Sequence, residues 1–261
     1  MKIISWKLKV ETIDMKVSVI MPYFNKKEFI EASIHSVLSQ TFENFEIILI
    51  YDDLSQNDFE FIKDFEKLDS RIKVLKNTNN IGAGKSRNKG IECSGGEYIA
   101  FLDCDDIWEK NKLQKQLKFM IHKNYEISFT SYNIIDNKEN IVGTRKATKV
   151  LFYKDLVKSC DIGLSTVIIK KKVLYNKDYR FANLKTKEDY VLWLKLSRDN
   201  FNFYGLDKIL TKWRKLDNSL SSNTFQKILD GFKVYNNYMG FGKIKSLYHL
   251  ILLSINFLKK S

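Results

Sequence analysis

GEYIAFLDCDD, residues 96–106, places a short apolar run directly before three carboxylates in four positions. Glu97 to Leu102 has the β-branched and aromatic character of a strand buried on both faces. The acids that follow, Asp103, Asp105 and Asp106, repel one another, and at the end of a buried strand they are costly unless a cation neutralises them. Alternate side chains of an extended strand share a face, so Asp103 and Asp105 are expected to converge on one site. Hard oxygen donors of this kind suit Mg²⁺ or Mn²⁺. A turn in which Asp106 caps a helix starting near Trp108 would also account for the cluster.

Upstream, strand and helix patterns alternate. Val17 to Pro22 (VSVIMP) reads as a buried parallel strand ending at the only proline. Phe29, Ile30, Ile34, Val37 and Leu38 recur at helical spacing between Lys27 and Ser39. Phe45–Tyr51 is a second strand, Asp58–Leu68 a helix, and Arg71–Leu75 a third strand. Asn88–Cys93 lies in a helix that Gly95 and Gly96 end. This order predicts an α/β fold, a doubly wound, mostly parallel sheet with helices on both faces. Ligands of such sheets sit at the carboxyl ends of the strands, where Asp52-Asp53 and Asp103–Asp106 both fall. An acid there can accept from a ribose hydroxyl or a base N–H, although an Asp-rich turn would look the same.

Downstream the pattern loosens. Ile127–Asn133 and Val167–Ile169 are strand-like, and Tyr190–Ser197 is helical after Glu188-Asp189. Two acids at a helix start suit its dipole, and a general base is the functional alternative. Gly82-Ala83-Gly84-Lys85-Ser86 resembles the end of a Walker A loop, but Asn79 stands where the first glycine is required. A glycine-rich turn opening a helix can still present amides to phosphate, with Lys85 and Arg87 adding charge. Ile244–Leu258 is an apolar helix flanked by lysines, suited to packing on the domain or to lying on an anionic membrane surface.

The 261 residues allow one large domain with an appendage. The net charge of +13 favours anionic partners, although a lysine-rich, AT-biased composition gives the same excess. The lysines are dispersed rather than grouped in a groove, and the acid clusters oppose a phosphate backbone, so no nucleic acid is expected. Cys93, Cys104 and Cys160 make no C-x-x-C pair, which fits a reduced, cytoplasmic setting. The N-terminus lacks a signal-peptide core, and no apolar run approaches the ~20 residues of a membrane span.

Together these segments resemble the family 2 glycosyltransferases of GT-A fold, from Val17 to about Ser221. The blocks that carry the resemblance are VSVIMPYFNKKEFIEASIHSVLSQTFENFEIILIYDD, NNIGAGKSRNKGI, GEYIAFLDCDD, KEDYVLWLKL and WRKLDNSLS, in that order. The resemblance implies that Asp52 or Asp53 contacts the nucleoside, with uridine the expected one. Pro22, Tyr23 and Asn25 would border the base pocket, and Arg87 would lie near the diphosphate. Asp103 would contact the ribose or the metal, Asp105 would ligate the divalent cation (Mn²⁺ or Mg²⁺), and Asp189 would be the base, supported by Glu188. Arg214 would bind diphosphate from a mobile C-terminal loop. Leu216 replaces a histidine common in the family, and Trp213 a tyrosine.

The implied organisation is an N-terminal extension (1–14), a GT-A domain (15–222) and a C-terminal helical tail (223–261). Within the domain the nucleotide part spans about 15–110 and the acceptor part about 111–222. The implied activity is metal-dependent, inverting transfer from a nucleotide-sugar donor to a hydroxyl of a glycan or lipid-linked glycan of the cell surface, at the inner face of the cytoplasmic membrane. A member that only binds is the competing reading, against which Asp103, Asp105 and Asp189 stand intact.

Overall fold

The computed structural model describes residues 15–216 and 223–259. The expected N-terminal extension and the DNSLS part of the late block lie outside the described residues. Strands β1 (Val17–Tyr23), β2 (Phe45–Tyr51), β3 (Ile72–Lys76) and β4 (Tyr98–Phe101) form a parallel unit in the order β3-β2-β1-β4. The sheet continues through β9 (Ile168–Lys170), β6 (Ile127–Ile135), β10 (Phe203–Arg214) and β5 (Ile107–Trp108). β9 runs antiparallel to both neighbours, so β6 and β10 share the direction of β4. β7 (Ile141–Arg145) and β8 (Val150–Leu151) pair antiparallel with β6 and β10. The sheet is therefore mixed, with its parallel portion where the sequence predicts it.

Alternation along the central strands builds two cores, one on each face. Val19, Met21, Leu49 and Ala100 meet helices α1 (Lys27–Leu38) and α5 (Lys112–Lys123) through Ile30, Ile34, Leu113 and Leu117. Ile20, Ile48, Ile50 and Phe101 meet α4 (Ala83–Cys93) and α7 (Glu188–Arg198) through Ile91, Val191 and Trp193.

Several boundaries differ from expectation. β1 continues past Pro22 to Tyr23. Leu102 N–H donates to Ile20 O, and Cys104 Sγ donates to Pro22 O, so the proline's missing N–H faces the side where β1–β4 pairing has already ended. The helix expected over 58–68 is two short ones, α2 (Phe59–Lys63) and α3 (Phe65–Leu68), and Glu66 at 2.6 Å from Val74 N holds the second against β3. β4 ends at Phe101, so Asp103–Asp106 form a turn rather than a strand end, closed by Asp106 N–H to Asp103 O at 3.0 Å. No helix begins near Trp108; β5 stands there, and α5 starts four residues later.

A four-residue helix, α6 (Tyr153–Leu156), precedes β9. Beyond residue 222, a π-helical turn at Val234–Tyr238 packs on α7, and α8 (Thr224–Lys233) and α9 (Lys243–Leu258) pack on that turn and on each other. Val234, Tyr235, Leu250 and Leu253 enter the α7-side core, and Tyr235 Oη lies 3.0 Å from both Tyr190 Oη and Val157 O.

Candidate active site

The Asp103–Asp106 turn lies at the carboxyl end of the parallel strands, and each of its acids meets a different partner. Asp103 accepts from Arg87 Nη2 at 2.6 Å, and its amide donates to Ser165 Oγ. Asp105 pairs with Lys26 Nζ at 2.8 Å. Burial and then the charge of Asp103 raise the Asp105 carboxyl above its usual range, so the two sense each other although the strand alternation expected to align them is absent. Asp106 is buried, with Oδ1 accepting the Arg214 N–H at 2.8 Å and Oδ2 without a partner among the described residues. Burial, then Asp105 and Asp103, push its carboxyl well above the normal range. It anchors β10 rather than capping a helix.

Arg87 brings a second acidic motif to the first. Gly82 adopts φ +83°, which a side chain would strain, and opens α4. A Cβ on Gly84 would stand 2.7 Å from Ala182 O, so only glycine lets the first turn of α4 approach the segment leading to α7. Arg87, one turn on, donates through Nη1 to Glu188 at 2.7 Å. Burial works against its charge, but Asp103 and Glu188 outweigh it and hold the guanidinium firmly protonated. Next to Glu188, Asp189 accepts, among the described residues, only its neighbour's Tyr190 N–H, at 2.7 Å. Burial first, then Glu188, raise its carboxyl to about 7. That value suits a group that must take a proton near neutrality.

Three of the expected contact residues are already engaged within the protein. Tyr23 is fully buried, stacked on Tyr51, with its hydroxyl 2.9 Å from Asp58. Asp52 offers a ligand little, because its carboxylate accepts from Asn77 Nδ2, Ile81 N–H and Gly82 N–H at 2.8–2.9 Å. The same contacts occupy two amides at the start of the glycine-rich turn, Ile81 and Gly82. Arg214 ends β10 instead of riding a loop; its side chain bonds Asp105 O, Asp136 O and Glu139 and lies over the Phe29 ring.

Asp53 stays open apart from one bond from Ser55 N–H at 2.9 Å. It shares the carboxyl edge with part-exposed Pro22 and exposed Asn25, whose φ of 45° asparagine tolerates. The sequence reading did not single out Phe24, half exposed beside them, or Lys26 on Asp105. Both follow the proline at the end of β1, a position that signals the sheet's ligand edge. Lys187 stands directly before Glu188 in a left-handed conformation (φ 63°).

Among the described residues no group of three or more His, Cys, Asp or Glu donors could hold a metal. The turn offers a cation two carboxylates, Asp103 and Asp105, in a setting that already draws in Arg87 and Lys26. A hydrated divalent ion bound by one or two carboxylates plus substrate phosphates fits such a pair.

The sequence profile of Glycosyl transferase family 2 matches residues 18–180. TuaG of Bacillus subtilis (strain 168), a glycosyltransferase named for teichuronic acid biosynthesis, is 34% identical over 245 residues, 94% of this chain and 96% of its own. The Escherichia coli UDP-Glc:alpha-D-GlcNAc-diphosphoundecaprenol beta-1,3-glucosyltransferase WfgD is 36% identical over 248 residues, 95% of each chain. Among solved structures, S. aureus TarS 1-349 with UDP-GlcNAc superposes with a TM-score of 0.73 at 21% identity, covering 90% of this chain and 70% of that one.

Proposed function

The chain belongs to glycosyl transferase family 2, and on that premise we propose that it transfers a sugar from UDP to a hydroxyl of a glycan or lipid-linked glycan in cell-surface polysaccharide synthesis. The observation that carries this reading is the Asp103–Arg87–Glu188 bridge, which sets the acidic turn beside a carboxyl raised to about 7. The named activities of TuaG and WfgD, relatives along nearly their whole length, support the donor and acceptor classes.

The donor's nucleoside meets Asp53, Pro22 and Asn25 at the carboxyl edge of β1 and β2. Asp52, Tyr23 and Arg214 act behind this surface as supports, each through the bonds described above. The nucleotide part is about residues 15–110 and the acceptor part about 111–222. Asp105, with Asp103, would hold Mn²⁺ or Mg²⁺, which when bound offsets the negative charge of the departing diphosphate. Asp189 takes the proton of the acceptor hydroxyl as that oxygen attacks the anomeric carbon and the bond to UDP breaks. Glu188, fixed by Arg87, keeps Asp189 basic by its charge. A single displacement with one base inverts the anomeric centre.

The enzyme works at the inner face of the cytoplasmic membrane. No helix among the described residues is long and apolar enough to cross a membrane. α9 instead leaves Ile244, Leu247, Tyr248 and Ile251 exposed beside Lys243 and Lys245, a surface suited to anionic lipid.

Thermal unfolding with UDP, GDP, CDP and ADP, each with and without Mn²⁺, tests the donor assignment. Ligand at 100 times its dissociation constant should add about 2.7 kcal/mol. Stabilisation by UDP that needs Mn²⁺ and vanishes in Asp105→Ala is the expected result. Indifference to every nucleotide would overturn the assignment.

A further inference from the structure

Two lysines on the α8 side of Asp189 have no role in the reading above. Lys187 immediately precedes Glu188 and Asp189, and its left-handed backbone turns it out of α7. Its stem crosses α8 at Gly231, where a Cβ would lie 3.6 Å from Lys187 Cε. Lys227 sits four residues before Gly231, on the same face of α8. The two ammonium groups are therefore brought together, and Lys227 is depressed by burial and then by the charge of Lys187. Neither has a carboxylate ion pair among the described residues, whereas Lys233 on the same helix pairs with Asp230 at 3.3 Å.

Two cations held close repel one another; the nearby charge of Asp189 offsets part of this for Lys187, and an anion joining both would offset the rest. The position is fixed rather than incidental: Asp230, buried, accepts from both Thr186 N–H and Thr186 Oγ1 at 3.1 Å, tying α8 to the residue before Lys187. From Lys227 the surface turns apolar. Its Nζ lies 5.6 Å from the Phe257 ring on α9, and Phe225, Ile228, Leu229 and Ile255 are exposed along the two helices.

We propose that Lys187 and Lys227 seat the diphosphate of a lipid-linked acceptor, whose first sugar then presents its hydroxyl to Asp189 while its hydrocarbon chain lies along α8 and α9. The chemistry required of the ligand, two adjacent anionic phosphates between a sugar and a long apolar chain, matches the order in which the groups stand: base, cations, apolar helix faces. This rests on the transferase reading and assigns its acceptor side.

The test uses the full chain with its donor site filled by UDP and Mn²⁺, titrated calorimetrically with farnesyl diphosphate, inorganic diphosphate and farnesol. Farnesyl diphosphate should bind, and more tightly than inorganic diphosphate. Lys227→Gln and Lys187→Asn should each weaken it about tenfold, the loss of one charge-assisted contact. Lys227→Arg should restore it, and farnesol should not distinguish wild type from variants. Farnesyl diphosphate that fails to bind, or binds the glutamine and asparagine variants as tightly as wild type, overturns the seat. Failure of UDP to bind the wild type in the same titration condemns the donor reading instead, so the two failures are separable.

Discussion

Arg87 donates to Asp103 through Nη2 at 2.6 Å while its Nη1 holds Glu188, 101 residues on, at 2.7 Å, so one buried guanidinium joins two acidic motifs distant in sequence. Removing it would leave two carboxylates close together in poor solvent. Arg87→Met should cost roughly 3–5 kcal/mol, the range for breaking a buried pair from one side. Arg87→Lys keeps the charge but not the fork, and should fall between. Urea unfolding of the three proteins measures this. A methionine variant as stable as wild type would show that the bridge does not hold the site together.

Asp189 should impose an acid limb on catalysis. With its carboxyl raised to about 7, kcat/KM should fall as pH drops through that value, tenfold per unit below it. Asp189→Asn should abolish transfer but leave UDP binding within a factor of two or so, since its Oδ1 bond to the Tyr190 amide survives the change. The stability effect has the opposite sign from an ordinary acid. A carboxyl whose folded pKa exceeds its unfolded value, about 4, takes up a proton on folding, so its contribution is fully present below 4 and is lost as pH rises to about 7. The asparagine variant should therefore gain in Tm relative to wild type more at pH 8 than at pH 5. An equal difference at both values would mean that Asp189 ionises normally.

The first hundred residues were legible because buried parallel strands read as unbroken apolar runs: Phe45–Tyr51 is matched residue for residue by β2. β10 was not legible. Its glycine and charges (FYGLDKILTKWR) break the apolar pattern, and its pairing with β6 shifts register around Ile209. The loop position expected for Arg214 comes from the resemblance, and the local pattern offers no strand against it. The site residues were named by motif, but their divisions of labour depend on contacts between distant segments. Nothing local to Asp52 and Asp53 says which is filled by Ile81 and Gly82, and nothing near Asp105 announces Lys26.

Lys26 should compete with a divalent cation for Asp105, since it already neutralises that carboxylate at 2.8 Å. Lys26→Met removes the competitor and a repulsive charge. At pH 8, Mn²⁺ should bind the variant a few times more tightly than wild type, the effect of one nearby unit charge partly screened by water. Calorimetric titration of Mn²⁺ in the presence of UDP reads this directly. Weaker binding in the variant would make Lys26 a supporter of the site instead.

The C-terminal helices should be needed for the fold as well as for any surface contact. Leu250 and Leu253 of α9 enter the same core as α7, and Tyr235 bonds Tyr190. Truncation after Gly242 uncovers that core, and should cost several kcal/mol at about 25 cal/mol per Å² of apolar surface exposed. Ile251→Ser, on the open face of α9, should leave unfolding unchanged within about 0.5 kcal/mol while weakening sedimentation with vesicles containing phosphatidylglycerol. A truncated chain that unfolds like the whole would show α9 to be merely appended.

Asp52 and Asp53 are adjacent and chemically alike, and should fail differently. Asp52→Ala strands the Ile81 and Gly82 amides at the start of α4, while Asn77 Nδ2 keeps its bond to Ser86 Oγ. Unsatisfied donors of this kind cost about 1–3 kcal/mol each when water cannot reach them, and the loop is only part buried, so about 2–4 kcal/mol in all is expected. Its loss of UDP affinity should follow from the unfolded fraction and the disturbed loop, and should be recovered in part by Asp52→Asn, which keeps one acceptor oxygen. Asp53→Ala removes a single turn bond to Ser55 and should shift stability by less than about 1 kcal/mol, yet weaken UDP tenfold or more if its free oxygen meets the nucleoside. Urea unfolding and UDP titration on the same preparations separate the two. If Asp53→Ala binds UDP normally and Asp52→Ala alone does not, the nucleoside contact belongs to Asp52, and its brace must open when the donor binds.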